Sequence, residues 1–239
     1  MDYPNQLKIH LKKLQERCNL RGYSPETRKK YCYYLNQFYT FCIKARLNIS
    51  STSVKSYLLA QDVSINTSRL QYAALRFYFR EILKSPFSVE DVPIKKRPNQ
   101  LPKVISKETI RRILTTIKNP KHLLVVKLLY SSGLRLQELI NLRRQDIDFD
   151  QNLIFVRQGK GKKDRVTLLA ENVKTDLLKY YSKHKFRTDY IFEGRKGKYS
   201  KKSVQKIMES VGNNLNLHLH PHLFRHCFAL FFSFLLSYY

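Results

Sequence analysis

The chain has 239 residues, of which 43% are hydrophobic and 13% aromatic, and its 45 Lys and Arg against 18 Asp and Glu give a formal net charge of +27. The apolar content excludes a disordered basic tail, because such tails lack the side chains whose burial offsets chain entropy. A folded protein this basic repels itself unless its partner is a polyanion, so nucleic acid is the expected partner. The length suits two domains.

The cysteines and the apolar segments indicate the cellular compartment in which the protein is expected. Cys18, Cys32, Cys42 and Cys227 form no C-x-x-C pair and are too few for a disulfide framework, which predicts reduced thiols in an intracellular protein. The N-terminus has no apolar signal segment. The most apolar stretch, residues 228–236, is far shorter than the ~20 residues that span a bilayer. We therefore expect a cytoplasmic protein with no membrane role.

The N-terminal part shows helical periodicity and no convincing strand. Apolar positions recur at helical spacing over residues 7–20. Ser24-Pro25-Glu26 is a strong helix start, with a capping hydroxyl followed by proline at the first helical position. Further helices are predicted over about residues 52–60 and 66–84. Together these helices predict a small all-α domain over residues 1–85.

Residues 86–104 are predicted to connect two domains. Four prolines in this stretch prevent a helix and favour an extended segment. The triplet Lys95, Lys96 and Arg97 lies within it and is predicted to bind DNA phosphates, although a solvated charge run in a linker is the alternative.

Residues 105–239 are predicted to form a second domain that mixes helices and strands. Ser106 is expected to cap a helix, and residues 123–130 are apolar almost all round, as in a buried helix that ends near Gly133. A short helix is expected after Arg135. The fold class that results is mostly α with a small β-sheet.

The strands of this domain are predicted where the periodicity changes. Residues 153–156 and 166–169 are predicted to form a hairpin around a glycine-hinged basic turn, and a further short strand is predicted near residues 190–192. Helices are predicted over residues 172–182 and 200–211. Another helix is expected to begin at Pro221.

Three short segments of the second domain carry residues suited to a polyanion site. They are SGLRLQEL with Arg135, GKGKKDR with Lys160, and HLFR with His222 and Arg225. A guanidinium grips two phosphate oxygens at once, and the N–H groups at a helix start favour an anion. Each segment alone is more often structural, because an isolated H-x-x-R or a single arginine after Gly-Leu is common.

In their order and combination these segments resemble the tyrosine recombinases, and within them the Xer-type and phage-integrase-like members. The resemblance covers about residues 5–230: a helical N-terminal part, a proline-rich basic linker, then SGLRLQEL, NLRRQDIDFD, GKGKKDR and HPHLFRH. It implies a SAM-like core-binding domain that clamps DNA and a catalytic domain that cuts and rejoins duplex DNA through a phosphotyrosine intermediate. It implies no cofactor.

The resemblance also implies residue roles. Arg135 and Arg225 match the arginines that hold the non-bridging oxygens of the scissile phosphate. Lys160 matches the lysine that protonates the leaving 5′-oxygen, and His222 matches the histidine that assists proton transfer. Glu138 matches an acidic position that orients its neighbours.

The basic turn is also predicted to contact DNA, through Lys162, Lys163 and Arg165. Their like charge would lower the pKa of a neighbouring lysine, which general acid catalysis near neutral pH requires.

A metal site is the competing interpretation of the histidine-rich segment. His218, His220, His222 and His226 could ligate zinc, but no cysteine or carboxylate lies beside them and a proline interrupts the run. We therefore predict no metal.

The C-terminus departs from the family pattern. In the family the nucleophilic tyrosine follows the second arginine at a distance greater than the stretch from Arg225 to Tyr239. We therefore expect a truncated catalytic domain that binds DNA, lacks the nucleophile segment in cis, and lacks the tail that docks on a neighbouring protomer. Tyr238 and Tyr239 are the remaining candidates, but a continued helix places them ~20 Å from Arg225.

Several functions follow as alternatives. The chain is a recombinase inactive in cis, or one whose last tyrosines act in trans, or a non-catalytic DNA-binding protein that competes with a full-length recombinase. An RNA-binding protein is a more distant alternative. Type IB topoisomerases share the phosphate chemistry, but the small helical clamp and the GKG turn favour a recombinase. The implied partners are duplex DNA and further copies of the chain, which form a tetramer on DNA in the family.

Overall fold

The computed structural model describes residues 3–85, 87, 104–157, 164–195 and 197–236, with side chains to residue 230. The chain divides into two compact units, Met1–Gln100 and Leu101–Tyr239. Several predicted functional residues lie outside the described residues: Lys95, Lys96, Arg97, Lys160, Lys162, Lys163, Tyr238 and Tyr239.

The N-terminal unit consists of helices, as predicted. They are α1 (Tyr3–Leu20), α2 (Pro25–Lys44), α3 (Ser51–Leu59) and α4 (Ile65–Tyr78). The hydroxyls of Ser24, Ser50 and Ser64 each accept a hydrogen bond from the backbone N–H three residues on, which caps α2, α3 and α4. Helix α4 continues into one π-helical turn, Phe79–Leu83, and the chain leaves it through Lys84 in a left-handed conformation.

Large aromatic side chains fill the core of this unit. Phe38, Tyr57 and Phe79 are fully buried, and their rings pack mainly edge to face. The buried hydroxyls of Tyr39 and Tyr78 lie 2.7 Å apart, and both are bonded to His10 Nδ1, at 2.8 and 2.7 Å. This polar triangle satisfies the two phenols that would otherwise be buried without partners.

The second unit combines six helices with two small antiparallel sheets in the part of the chain that the structure describes. The helices are α5 (Lys107–Thr116), α6 (Pro120–Ser131), α7 (Leu136–Asn141), α8 (Glu171–Lys183), α9 (Lys201–Leu215) and α10 (Pro221–Leu236), with a 3-10 turn at Arg144–Asp146. The strands are β1 (Ile147–Asp148), β2 (Leu153–Val156), β3 (Arg165–Leu168), β4 (Glu193–Gly194) and β5 (Gly197–Lys198). The first sheet has the order β1-β2-β3, and β4 pairs with β5. The predicted fold class, mostly α with a small sheet, is confirmed.

The strand predicted near residues 190–192 is wrong. Tyr190 makes one isolated bridge with Arg143, while Ile191 and Phe192 are buried in the core. The strand pair lies just beyond, where Glu193 pairs with Lys198 and Gly194 with Gly197. The apolar run therefore marks core burial and not a strand, an ambiguity inherent in short apolar runs.

Helix α6 lies at the centre of this unit, as its apolar surface predicts. Val125, Leu128 and Leu129 are fully buried, and α7, α8 and α10 all pack against α6. The packing of α10 on α6 brings the first turn of α10 to the segment that leaves α6 at Ser132. Within the described ranges, no helix combines the length and apolar character that a membrane span requires.

Candidate active site

The turn between α6 and α7 is the scaffold of the site. Gly133 has φ +56, and a Cβ at this position would overlap the Phe228 ring of α10, with Cε1 only 2.8 Å away. Only glycine combines this backbone conformation with this close approach. Helix α10 can therefore pack directly on the turn that precedes Arg135.

Arg135 is the N-cap residue of α7, and Glu138 binds both its backbone N–H and its guanidinium group. Its backbone N–H donates to Glu138 Oε2 at 2.8 Å, and its Nη1 donates to Oε1 at 2.6 Å. The spacing of three residues brings an acidic side chain back to the helix start, where the exposed N–H groups favour it. The RLQE segment thus presents a guanidinium in one defined orientation.

Glu138 is the centre of a cluster of arginines. Its side chain is only 5% exposed, yet Arg165 Nη2 donates to Oε2 at 2.8 Å and Arg225 Nη1 lies 3.9 Å from the same oxygen. Burial raises the pKa of Glu138, but the Arg135 N–H and the guanidinium groups of Arg165 and Arg135 lower it more, so the pKa lies below its ordinary value. The group is therefore a carboxylate at neutral pH.

Arg225 lies in the first turns of α10 and reaches back to the α6–α7 turn. Its Nη1 donates to the backbone carbonyl of Gly133. Burial, followed by the like charges of Arg135 and Arg165, lowers the pKa of Arg225, while Glu138 opposes this shift. An arginine remains protonated under such a shift, so the group keeps its charge.

The cluster keeps a surplus of positive charge at the surface. The side chains of Arg135, Arg165 and Arg225 are 34%, 30% and 31% exposed, so each guanidinium keeps part of its donor set accessible. Three guanidinium charges against the one carboxylate of Glu138 leave a local charge of +2. Such a pocket is suited to an anion with several acceptor oxygens, above all a phosphate.

His222 is exposed in the first turn of α10, three residues before Arg225 and so on the same side of the helix. His220 precedes this helix, and its Nδ1 accepts the N–H of Leu223 at 3.2 Å, in the manner of a cap. Burial and the neighbouring histidines lower the pKa of His220. Within the described part of the chain, no cluster of three or more His, Cys, Asp or Glu side chains is placed to hold a metal ion.

The structure brings some of the predicted residues together and says nothing of others. Arg135 and Arg225 meet at Glu138, although 90 positions separate them in the sequence. Lys160 lies outside the described residues, but the strands on either side of its turn are paired, with Val156 opposite Arg165. The contact of Arg165 with Glu138 was not predicted, because Arg165 was expected to contact DNA and to lower the pKa of a neighbouring lysine. The alternation along β3, which places Arg165 and Thr167 on one face, is the signal that could have indicated this contact.

Known proteins match this chain over both of its units. The model of the phage integrase family matches residues 103–231, and that of the phage integrase N-terminal SAM-like domain matches residues 10–88. The tyrosine recombinase XerA of Pyrococcus horikoshii is 31% identical over 205 residues, which cover 83% of this chain and 70% of that protein. XerA of Thermococcus kodakarensis is 31% identical over 227 residues, covering 89% and 76%.

Solved structures share the fold. The XerH site-specific recombinase bound to a palindromic difH substrate, in a post-cleavage complex, superposes with a TM-score of 0.72 at 22% identity, covering 90% of this chain and 71% of that one. The Tn1549 transposon integrase in complex with circular intermediate DNA gives a TM-score of 0.68 at 17% identity, covering 92% and 84%. With the family models and the XerA relatives, these findings show that the chain belongs to the phage integrase family of tyrosine recombinases.

Proposed function

We propose that this protein is a site-specific recombinase that binds duplex DNA and holds the scissile phosphate between Arg135 and Arg225. The observation that carries the proposal is the convergence of three arginines on the buried carboxylate of Glu138, with a third of each guanidinium side chain still exposed. The net charge of +27 and the DNA in the XerH and Tn1549 complexes support duplex DNA as the partner.

The charge of the pocket suits the chemistry of a phosphodiester. The ground state carries one negative charge, and a second develops on the non-bridging oxygens as the nucleophile adds. A pocket of +2 whose donors are already in place stabilises this added charge without reorganisation during the reaction. The guanidinium groups of Arg135 and Arg225 stay charged throughout, which suits them to this role.

Proton transfer is proposed for Lys160 and His222. Arg165 begins β3 and contacts Glu138, and Lys160 precedes this arginine by five positions in the sequence. Its lysine neighbours in the turn would lower the pKa of Lys160 toward the range of a general acid. His222 is exposed one turn of α10 before Arg225, within reach of a phosphate held there.

A second candidate function is DNA binding without strand cleavage, as in a competitor of a full-length recombinase. The side chains described in the site supply binding and charge stabilisation, and a nucleophile is not among them. Tyr238 and Tyr239 lie outside the described residues. The two functions share the same phosphate pocket and differ only in whether a covalent bond forms.

The first experiment tests the pocket. A duplex enriched by the protein from a random-sequence pool is titrated at a series of salt concentrations, with Arg135→Gln, Arg225→Gln and Arg111→Gln compared. Each pocket variant should flatten the slope of log K against log salt by about 0.9, the value for one lost phosphate contact. Arg111 is the matched control, because it pairs with Glu108 at the same three-residue spacing but is 77% exposed. Unchanged slopes in both pocket variants, or a preference for single-stranded RNA, would refute the proposal.

The second experiment separates the two functions. A nicked suicide duplex that contains the enriched site traps a covalent protein–DNA adduct if the chain cleaves. An adduct that disappears when Tyr238 and Tyr239 are both changed to phenylalanine identifies these residues as the source of the nucleophile. Duplex binding with the expected salt slope but without an adduct supports the non-catalytic function.

A further inference from the structure

Strand β3 is tied to the α6–α7 turn through two successive backbone carbonyls. Thr167 Oγ1 donates to the Ser132 carbonyl at 2.9 Å, and Arg165 Nη2 lies 3.5 Å from the Gly133 carbonyl. Residues two apart on a strand project from the same face, and here that face is half-buried while Val166 between them is 50% exposed. The strand therefore braces the turn that sets the positions of Arg135 and the Gly133 carbonyl.

Arg165 shares both of its acceptors with the two arginines proposed to bind phosphate. Glu138 accepts from Arg165 and from Arg135, and the Gly133 carbonyl accepts from Arg165 and from Arg225. A displacement of Arg165 would thus remove one hydrogen bond from Glu138, which holds Arg135, and one from the Gly133 carbonyl, which holds Arg225. No other residue described in the site bonds to both acceptors in hydrogen-bond geometry.

The burial of Arg165 also separates it from an ordinary DNA contact. Its Nε is buried and has no hydrogen-bond partner among the described residues. Burying a donor without a partner costs free energy, so the Nη2 contacts with Glu138 and Gly133 must outweigh that cost in fixing the side chain. An arginine whose role was to meet a phosphate in solution would have no reason to bury this edge.

We propose that Arg165 is a positioning residue: it holds Glu138 and the Gly133 carbonyl in place and thereby sets the geometry of the Arg135–Arg225 pair. The proposal rests on the proposed function of that pair in phosphate binding. Arg165 begins β3, and its side chain joins this strand to Glu138 and to the α6–α7 turn. Arg165 then acts through Glu138 and not by touching DNA.

The test without DNA follows the two pocket arginines directly. In the intact chain, the side-chain Nε–H resonances of Arg135 and Arg225 are recorded by NMR for the wild type, Arg165→Gln and Arg165→Lys. Both variants should broaden or shift these resonances, because lysine keeps the charge but lacks the fork that spans two acceptors. Unchanged resonances in both variants would overturn the proposal. Peptide-resolved hydrogen exchange identifies a variant that is unfolded, in which case the other variant decides.

The test with DNA is a double-mutant cycle on the enriched duplex. Arg165→Gln and Glu138→Gln should each weaken binding about tenfold, and the double variant should be no weaker than either single one, because one residue acts through the other. Multiplied effects would mean that Arg165 contacts DNA independently, and would overturn the positioning role. If Arg135→Gln and Arg225→Gln leave binding unchanged, the proposed function fails instead, while the NMR measurement still decides the role of Arg165.

Discussion

In each unit of the chain, one glutamate with a largely covered side chain lies against three arginines, and the two clusters have nearly the same distances. Glu81 lies 2.6, 2.9 and 3.9 Å from Arg17, Arg21 and Arg80. Glu138 lies 2.6, 2.8 and 3.9 Å from its own three arginines. The carboxylates are also similarly buried, at 8% and 5% side-chain exposure.

The two clusters differ in how far the arginine side chains are exposed to water. Around Glu81 the arginine side chains are 37%, 51% and 71% exposed, so water screens most of their charge. Around Glu138 all three are near one third exposed, and two of them also bond the Gly133 carbonyl. The same ion-pair distances therefore give a solvated structural contact in one unit and a concentrated positive pocket in the other. Ion-pair geometry alone does not distinguish them, whereas burial of the cations does.

Neutralising each of the two carboxylates should give the largest difference in stability loss between the units. Glu138→Gln leaves three partly buried guanidinium groups without a counter-charge and should destabilise its unit by about 3–5 kcal/mol. Glu81→Gln should cost about 1 kcal/mol, because its arginines turn to water. Urea unfolding followed by peptide-resolved hydrogen exchange measures the stability of each unit separately. Equal losses in the two units would break the comparison.

Glycine substitutions should give the next largest difference in stability loss between the two units. Gly133 and Gly22 both have positive φ, but a Cβ at Gly133 overlaps Phe228 whereas a Cβ at Gly22 meets no atom within 4 Å. Gly133→Ala should therefore cost about 2–4 kcal/mol from strain plus overpacking, and Gly22→Ala about 1–2 kcal/mol from strain alone. Thermal unfolding of the two variants checks this order. Relief of the Gly133→Ala defect by Phe228→Ala would confirm that the ring is the obstacle.

Acid should weaken the N-terminal unit through one histidine. His10 is the one histidine in residues 1–100, and burial, with a smaller effect of Lys13, lowers its pKa. The unfolded state then binds the proton more readily than the folded state, so stability is complete above pH ~6.5 and falls as the pH drops below it. Hydrogen exchange in α1 and α4 between pH 7.5 and 5 measures the effect. His10→Gln should flatten the dependence in this unit, and an unchanged acid response would contradict the prediction.

Removing a helix cap should give the smallest loss of stability, and the loss should be equal in the two units. Ser24 and Ser106 each accept an N–H from a threonine three residues on, at 3.1 Å in both cases. Ser24→Ala and Ser106→Ala should each cost about 1 kcal/mol. Chemical denaturation with the same local readout tests this. A large difference between the two variants would show that one unit depends on its cap in a way the geometry does not indicate.

Local signals in the sequence predict much of this fold. Capping serines with helical apolar spacing mark α2 and α5 because both the start signal and the buried face are written within one segment. The hairpin strands β2 and β3 are predicted for the same reason. The two-residue strand β1 is missed, because so short a segment has no periodicity. The π-helical turn at Phe79–Leu83 is also missed, since it depends on how α4 packs against its neighbours.

The sequence predicts which residues belong to the site but not which side chains contact one another. Arg135, His222 and Arg225 stand out through their motifs, and their catalytic roles remain predictions. That Glu138 holds three arginines is a tertiary property, because Arg165 and Arg225 arrive from β3 and α10. Sequence spacing within the RLQE segment indicates only the Arg135–Glu138 contact.

The hydrogen bond from Arg225 to the Gly133 carbonyl spans 92 positions of the chain. At a synthesis rate of about 5–20 residues per second, the α6–α7 turn leaves the ribosome roughly 5 to 20 s before its distant partner does. During that interval the nascent chain contains Arg135 and Glu138 but not yet Arg225. The spacing therefore means that the arginine cluster around Glu138 is completed only after residue 225 has been synthesised.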